Sequence, residues 1–214
     1  MPAGPDDVAV RFSPMFPLGI VHFPGVPLPL RVFEPRYRTL VAHCLDGDRE
    51  FGVVLIERGF EVGGGDARFD VATMTSIVGA GMSADGMVHL QTVGTRRARV
   101  VRWLEDDPYP RAEVEDFAPF TVAGADAEAL AATERRVRQA LAMRAELGEP
   151  GVPFNIELDP DPSVAAFQLA AIAPLGPLDK QRLLGAEEPA RFVALLDELI
   201  GDELDGLALR LGGN

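Results

Sequence analysis

"FPLGIVHFPGVPLPLRVFEPRYRTL", residues 16–40, decides how this chain is read. Five prolines (Pro17, Pro24, Pro27, Pro29 and Pro35) stand among large apolar residues. Proline lacks a backbone donor, so it is kept out of central strands and helix interiors. Leu28, Leu30 and Val32 recur at period two with Pro27, Pro29 and Arg31 between them, which predicts a strand at an edge or a bulge. Glu34-Pro35 then turns strand into helix, with Pro35 at the first helical position, where its missing N–H costs nothing. Tyr37, Leu40, Val41, Cys44 and Leu45 follow at i, i+3, i+4, i+7 and i+8, the stripe of an amphipathic helix laid on a core. Arg36 and Arg38 fall on the flanks of that stripe.

Outward from this stretch the grammar divides in two. Up to residue 118 the chain reads as short strands punctuated by Gly, Pro and Asp. "EFGVVLIERG" (50–59) is a buried strand, and "GGGD" (63–66) a flexible connection. "FDVATMTSIVGAGM" (69–82) and "MVHLQTVG" (87–94) flank an Asp85-Gly86 hairpin signal. "RRARVVRWLE" (96–105) and "RAEVEDF" (111–117) look like two more strands. Such spacing predicts a small β-barrel or sandwich with one inserted helix.

Residues 119–214 predict a helical subdomain. Leu130, Val137, Leu141 and Leu147 are helically spaced up to Gly148, a C-terminal stop. Ser163 reads as the N-cap of a helix carrying Val164, Phe167, Ala171 and Ile172. "LDKQRLLG" (178–185) is a short helix, and Phe192, Leu195, Leu196 and Leu199 face one side of a last one. Leu204, Leu207 and Leu211 hint that its stripe continues. The fold class is therefore α+β, with boundaries at 1–118 and 119–214.

Composition narrows the function. The 214 residues are 47% hydrophobic and 25% charged, ordinary for a globular chain. The net charge is −13 with a pI near 4.6. Residues 1–118 hold 12 basic and 17 acidic side chains, and the remainder 8 and 16, so both halves are acidic. Phosphate neutralisation needs Lys and Arg, so nucleic acid is not an expected partner, nor is an anionic membrane. Cys44 is the only cysteine, which fits a reducing, cytoplasmic setting. The N-terminus lacks the apolar core of a signal peptide. "SVAAFQLAAIAPLGPL" (163–178) is too short and too broken to span a bilayer.

Catalytic patterns are scarce. Lys180 is the only lysine and follows Asp179, so a Walker A Gly-Lys-Ser/Thr cannot be written. His22, His43 and His89 lack metal-ligand spacing, and neither a metal nor a cofactor is expected. His43 and Cys44 point about 100° apart on a helix, so they form no nucleophile–base pair; Cys44 belongs to the buried stripe. Ser163 is better used as a cap than as a partner for Lys180. Glu34 and Glu57 could share a cleft, which keeps an enzyme of unstated type as the alternative. Arg96, Arg97, Arg99 and Arg102 read as a solvated, ion-paired strand.

The ordered motifs Pro17-Leu18, Phe23-Pro24-Gly25, Leu28-Pro29-Leu30 and Phe33-Glu34-Pro35-Arg36-Tyr37, followed by "FGVVLI" (51–56), resemble the Lon protease N-terminal domain. "APLGPLDKQRLLGAEEPARFVALLDEL" (173–199) is more loosely similar to that family's final helices. The sequence departs from the family pattern at "DVATMTS" (70–76), where a Val-Gly-Thr segment is common, and at Ala98, where an aromatic is. The resemblance implies a PUA-like barrel with a helical extension. It also implies a non-catalytic, stand-alone module that binds unfolded or partner proteins, since the Lon ATPase and Ser–Lys protease parts find no match here. RNA binding, known for PUA-like barrels, is opposed by the charge. The candidate peptide-binding residues are Phe33, Arg36, Tyr37 and Phe60. Pro17, Pro24, Gly25, Pro29, Glu34 and Pro35 form the structural motif. Pro17, Pro27 and Pro29 are expected to block edge pairing, which favours a side-chain groove over strand addition.

Overall fold

A computed structural model describes residues 10–59, 61 and 65–212. The chain divides between Phe117 and Ala118 into two compact units. The first holds β1 (Arg11–Leu18), β2 (Pro27–Val32), α1 (Pro35–Asp46), β3 (Glu50–Arg58), β4 (Ala67–Met82), β5 (Val88–Trp103) and β6 (Arg111–Asp116). The second holds α2 (Ala125–Glu146), α3 (Pro162–Ile172), α4 (Pro177–Leu184) and α5 (Pro189–Gly212).

The strands lie in the order β2-β5-β4-β3-β1-β6, and β5 also pairs with β6. That last pairing closes β1, β3, β4, β5 and β6 into a barrel, so the barrel form holds and not the sandwich. β1 and β3 run parallel, and every other pair is antiparallel. One cluster draws on all five barrel strands and fills the interior: Met15, Val54, Ala72, Met74, Ala98, Val100, Ala112 and Val114. A narrow barrel needs small residues opposite large ones. Three alanines supply the space, and Ala98 is among them. Gly52 supplies more, since a Cβ there would stand 2.6 Å from the Met15 sulfur. A second cluster packs α1, through Tyr37, Leu40, Val41 and Cys44, against Phe16, Leu18, Phe51 and Val53.

One strand expectation changes. "MVHLQTVG" and "RRARVVRW" are one sixteen-residue strand, β5, rather than two. Register shifts between Met74 and Thr75 and between Ile77 and Gly79 let it curve without a turn. Its first half pairs with β2 and its second half with β6. β1 pairs with β6 at Arg11–Pro14 and with β3 at Met15–Leu18, so at Pro17, opposite Val54, it is paired on one side alone, as expected. Among the described strands only β2 pairs with a single other strand, which is where Pro27 and Pro29 sit.

The arginine strand is ion-paired, as expected, at Arg96 and Arg102. Arg96 bonds Glu50 at 2.5 Å and Asp116 at 2.8 Å, and Arg102 bonds Glu113 at 2.6 Å. It is not solvated at Arg97, which is buried with its guanidinium over the Phe117 ring. Cys44 is buried, and its thiol donates to the Glu50 carbonyl; desolvation pushes its pKa up to about 12.

In the second unit α2 runs to Glu146, and Gly148 takes a positive φ of 73° just beyond it. Ser163 is not the N-cap of α3. Asp161 is, its carboxylate accepting from the Ser163 N–H at 2.8 Å, because Pro162 occupies the first helical position. The Ser163 hydroxyl instead accepts from the Val122 N–H. α5 continues through Leu204, Leu207 and Leu211 to Gly212, with Leu207 buried. Phe120, Phe167 and Phe192 form an edge-on aromatic cluster at 4.5–5.4 Å. No described helix is long and apolar enough to cross a membrane.

Candidate functional site

The proline-rich stretch builds one wall of a groove on the first unit. Its path is pinned at Phe23-Pro24-Gly25, which lies against β5: the Gly25 N–H donates to the Gly94 carbonyl at 2.9 Å, and Gly94 donates back to Val26 at 3.1 Å. Gly25 takes a φ of 71°, which a side chain would strain. Thr73 holds the preceding His22 carbonyl at 2.7 Å. From this pin β2 runs along β5, with Pro29 opposite Gln91, and Glu34 and Pro35 start α1. The Glu34 side chain makes no cap bond. It pairs instead with Arg36 at 3.1 Å.

The groove encloses about 460 Å³. Phe16, Leu18, Leu30, Val32, Phe33 and Met87 give it apolar walls. Pro29, Arg31, Glu34, Tyr37 and Glu61 complete it. Phe33 is 59% exposed, unusual for a phenylalanine, and forms its rim. Tyr37 is buried and stacked on Phe16 at 4.2 Å. Its hydroxyl has no hydrogen-bond partner among the described residues, and burial raises its pKa to about 12.

The candidate residues therefore separate. Phe33 and Tyr37 line the groove together. Arg36 does not line it; its guanidinium lies over the Tyr37 ring at 4.4 Å and donates to the Glu61 carbonyl at 3.2 Å. Phe60 lies outside the described residues. Leu30 and Val32 of β2 were absent from the candidate list although period two marked them. Phe16 and Leu18 of β1 were absent too, and with Met15 and Pro17 buried beside them no alternation marks them. Met87 and Glu61 carried no such signal, because they enter from loops.

The carboxylate reading changes too. Glu57 is exposed on β3 and does not line the groove, so it does not meet Glu34 there. The second lining carboxylate is Glu61, whose Oε1 accepts the Gly19 N–H. Both acids are thus engaged in local structure. Of the histidines, His22 is buried with Nε2 unpartnered among the described residues, and desolvation lowers its pKa to about 4. His43 reaches the Tyr109 hydroxyl at 2.8 Å. No cluster of three potential metal ligands occurs among the described residues.

The family model of the ATP-dependent protease La (LON) substrate-binding domain matches residues 13–200. The chain belongs to this family. Among curated Lon substrate-binding domain relatives, Lon protease of Trichlorobacter lovleyi is 28% identical over 92% of this chain and 24% of its own length. Lon protease 3 of Sorangium cellulosum is 30% identical over 65% of this chain and 17% of its own. The chain thus spans about a quarter or less of the curated relatives it matches. The Lon N-terminal domain protein from Xanthomonas campestris superposes with a TM-score of 0.62 and 27% identity, over 87% of this chain and 96% of that one. The N-terminal domain of Mycobacterium avium complex Lon protease gives 0.65 at 16% identity, over 90% and 99%, a likeness of fold.

Proposed function

We propose that the groove holds a short apolar segment of another protein, so that this Lon substrate-binding domain acts as a non-catalytic recognition module in the cytoplasm. The carrying observation is an exposed phenylalanine, Phe33, at the rim of an apolar groove of about 460 Å³. Isolated exposed apolar residues are common, but a contiguous apolar wall with an aromatic anchor is what a peptide-binding cleft requires. β2 borders the groove, and Pro27 and Pro29 withhold N–H donors from its outer edge. Side chains seated in the groove therefore serve better than an added strand. The substrate-binding description of the matched family is consistent with this reading. Peptidase activity does not follow, since the relatives' matched part is about a quarter of their length.

The test is fluorescence anisotropy of a labelled, permanently unfolded protein chain titrated with this protein, without ATP. Saturable binding is expected, weakened about 30-fold or more by Phe33→Ala, the usual cost of removing an aromatic hot spot. Phe33 is exposed, so the fold should survive the change. A flat titration, or full affinity in Phe33→Ala, would exclude the groove as the receptor.

A further inference from the structure

The second unit contains a pocket of about 340 Å³ that the recognition reading leaves unused. Leu141 of α2, Val152 and Phe154 of the following loop, and Ile172 and Leu175 at the end of α3 make its apolar lining. Arg144 and Lys180 also face it. In a chain with a net charge of −13, two cations in one apolar pocket call for an account of their counter-charges.

Only one is close by. Glu149 stands 2.7 Å from the Arg144 Nε, near enough for an ion pair but not aligned as a hydrogen bond. The same carboxylate also holds Arg210 of α5. Glu149 is therefore divided between two guanidiniums, and Lys180 has no carboxylate partner among the described residues. Its ammonium donates to the Ala171 carbonyl at 2.6 Å, in the last turn of α3. That bond suits a helix C-terminus, where a cation meets unsatisfied carbonyls. It leaves two N–H donors and a full charge without a partner among the described residues, on a half-buried side chain. Burial and then the Arg144 charge both lower the Lys180 pKa, as expected for an ammonium without a counter-ion.

We propose that this pocket binds a small amphipathic carboxylate, its acid group pairing with Lys180 and its apolar body lying against Leu141, Phe154 and Ile172. Arg144 and Lys180 outnumber Glu149, the one carboxylate of the lining, and Glu149 is shared with Arg210 outside it. The site is therefore locally positive, which selects an anion. The lining is too apolar for a strongly hydrated one such as phosphate, and the volume lies at the small end of ligand pockets. Arg144 adds long-range attraction without giving up Glu149.

Because Lys180 is the chain's only lysine, one label reports on the site. Protein carrying ¹³Cε-lysine gives one lysine ε-methylene signal in a ¹H–¹³C spectrum and keeps all three ammonium donors. Octanoate is titrated, with octanamide as its uncharged counterpart, and both affinities are measured by calorimetry on unmodified protein. Octanoate is expected to shift the Lys180 signal saturably and to raise its pKa. Octanamide, and octanoate on Lys180→Met, should bind at least about tenfold more weakly, the worth of a charge-assisted hydrogen bond. Absence of octanoate binding overturns the site. Equal affinity for acid and amide overturns the role of Lys180 and leaves it a cap of α3. The acid–amide comparison on the unaltered chain decides even where Lys180→Met fails to fold.

Discussion

Gly94→Ala probes the contact that fixes the groove wall. A Cβ at Gly94 would stand 2.3 Å from the Phe23 carbonyl oxygen and 3.0 Å from the His22 Nε2. Ordinary contact begins near 3.4 Å, so the turn at Phe23-Pro24-Gly25 must retreat by about 1 Å. The obstacle is backbone, which cannot rotate aside as a side chain would. Retreat stretches two hydrogen bonds, Gly25 to Gly94 and Gly94 to Val26. Losing them costs about 0.5–1.5 kcal/mol each, and overpacking about 1–3 kcal/mol more. The expected loss is roughly 2–6 kcal/mol. Trp103, the only tryptophan, lies in the first unit and packs partly against the barrel interior, so its fluorescence reports unfolding of that unit. In urea, with a slope of about 2 kcal/mol per molar, the midpoint should fall by about 1–3 M. Gly81→Ala is the control, since nothing stands within 4 Å of its added Cβ; it should stay within about 0.5 kcal/mol of the parent. A Gly94→Ala midpoint within about 0.3 M of the parent, or equal damage from both changes, would refute the close-approach reasoning.

Two further changes test other parts of the fold. His22 is protonated below about 6.5 when unfolded but only near 4 when folded, so its stabilising contribution is complete above pH 6.5 and is withdrawn as the pH falls towards 4, on the order of 3 kcal/mol in all. His22→Gln should flatten the drop in urea midpoint between pH 7 and 4.5, and parallel slopes in the two proteins would sink the assignment. Asp161→Ala should cost about 1 kcal/mol by leaving the Ser163 N–H without its cap, read as a melting-temperature drop of a few degrees in the helical unit; no change would return the cap to another residue.

Much of the architecture was legible because it rests on short-range rules. Period two in "PLPLRV" and the stripe Tyr37–Leu40–Val41–Cys44 each fix a face within a few residues. Pro35 and Gly148 punctuate helix ends through backbone chemistry alone. The length of β5 was hidden, because a bulge preserves strand pairing while breaking the alternation that a reader counts. Arg97 was misplaced for a related reason: four arginines in seven residues look solvated until Phe117 arrives to cover one. Leu30 and Val32 were in reach through the alternation of β2, as Phe33 and Tyr37 were through the motif that holds them. Met87 and Glu61 were not, since only tertiary structure brings those loops beside β2. Ser163 is a good cap by residue type, but Pro162 at the first helical position moves the cap two residues back, to Asp161.

Closure of the barrel imposes an order on how the first unit is made. Its first strand is secured by its last, with Phe12 opposite Glu113 and Arg11 opposite Val114. Contacts between residues a hundred positions apart carry the largest chain-entropy cost and form late. A nascent chain leaving the ribosome therefore has β1 and β3 paired long before β6 exists to seal the ring. Until residues 111–116 emerge, β1 and β5 each keep an open ladder and Met15 and Met74 lack a closed wall around them. The protein whose groove is proposed to receive exposed apolar segments must itself pass through a stage when it exposes one.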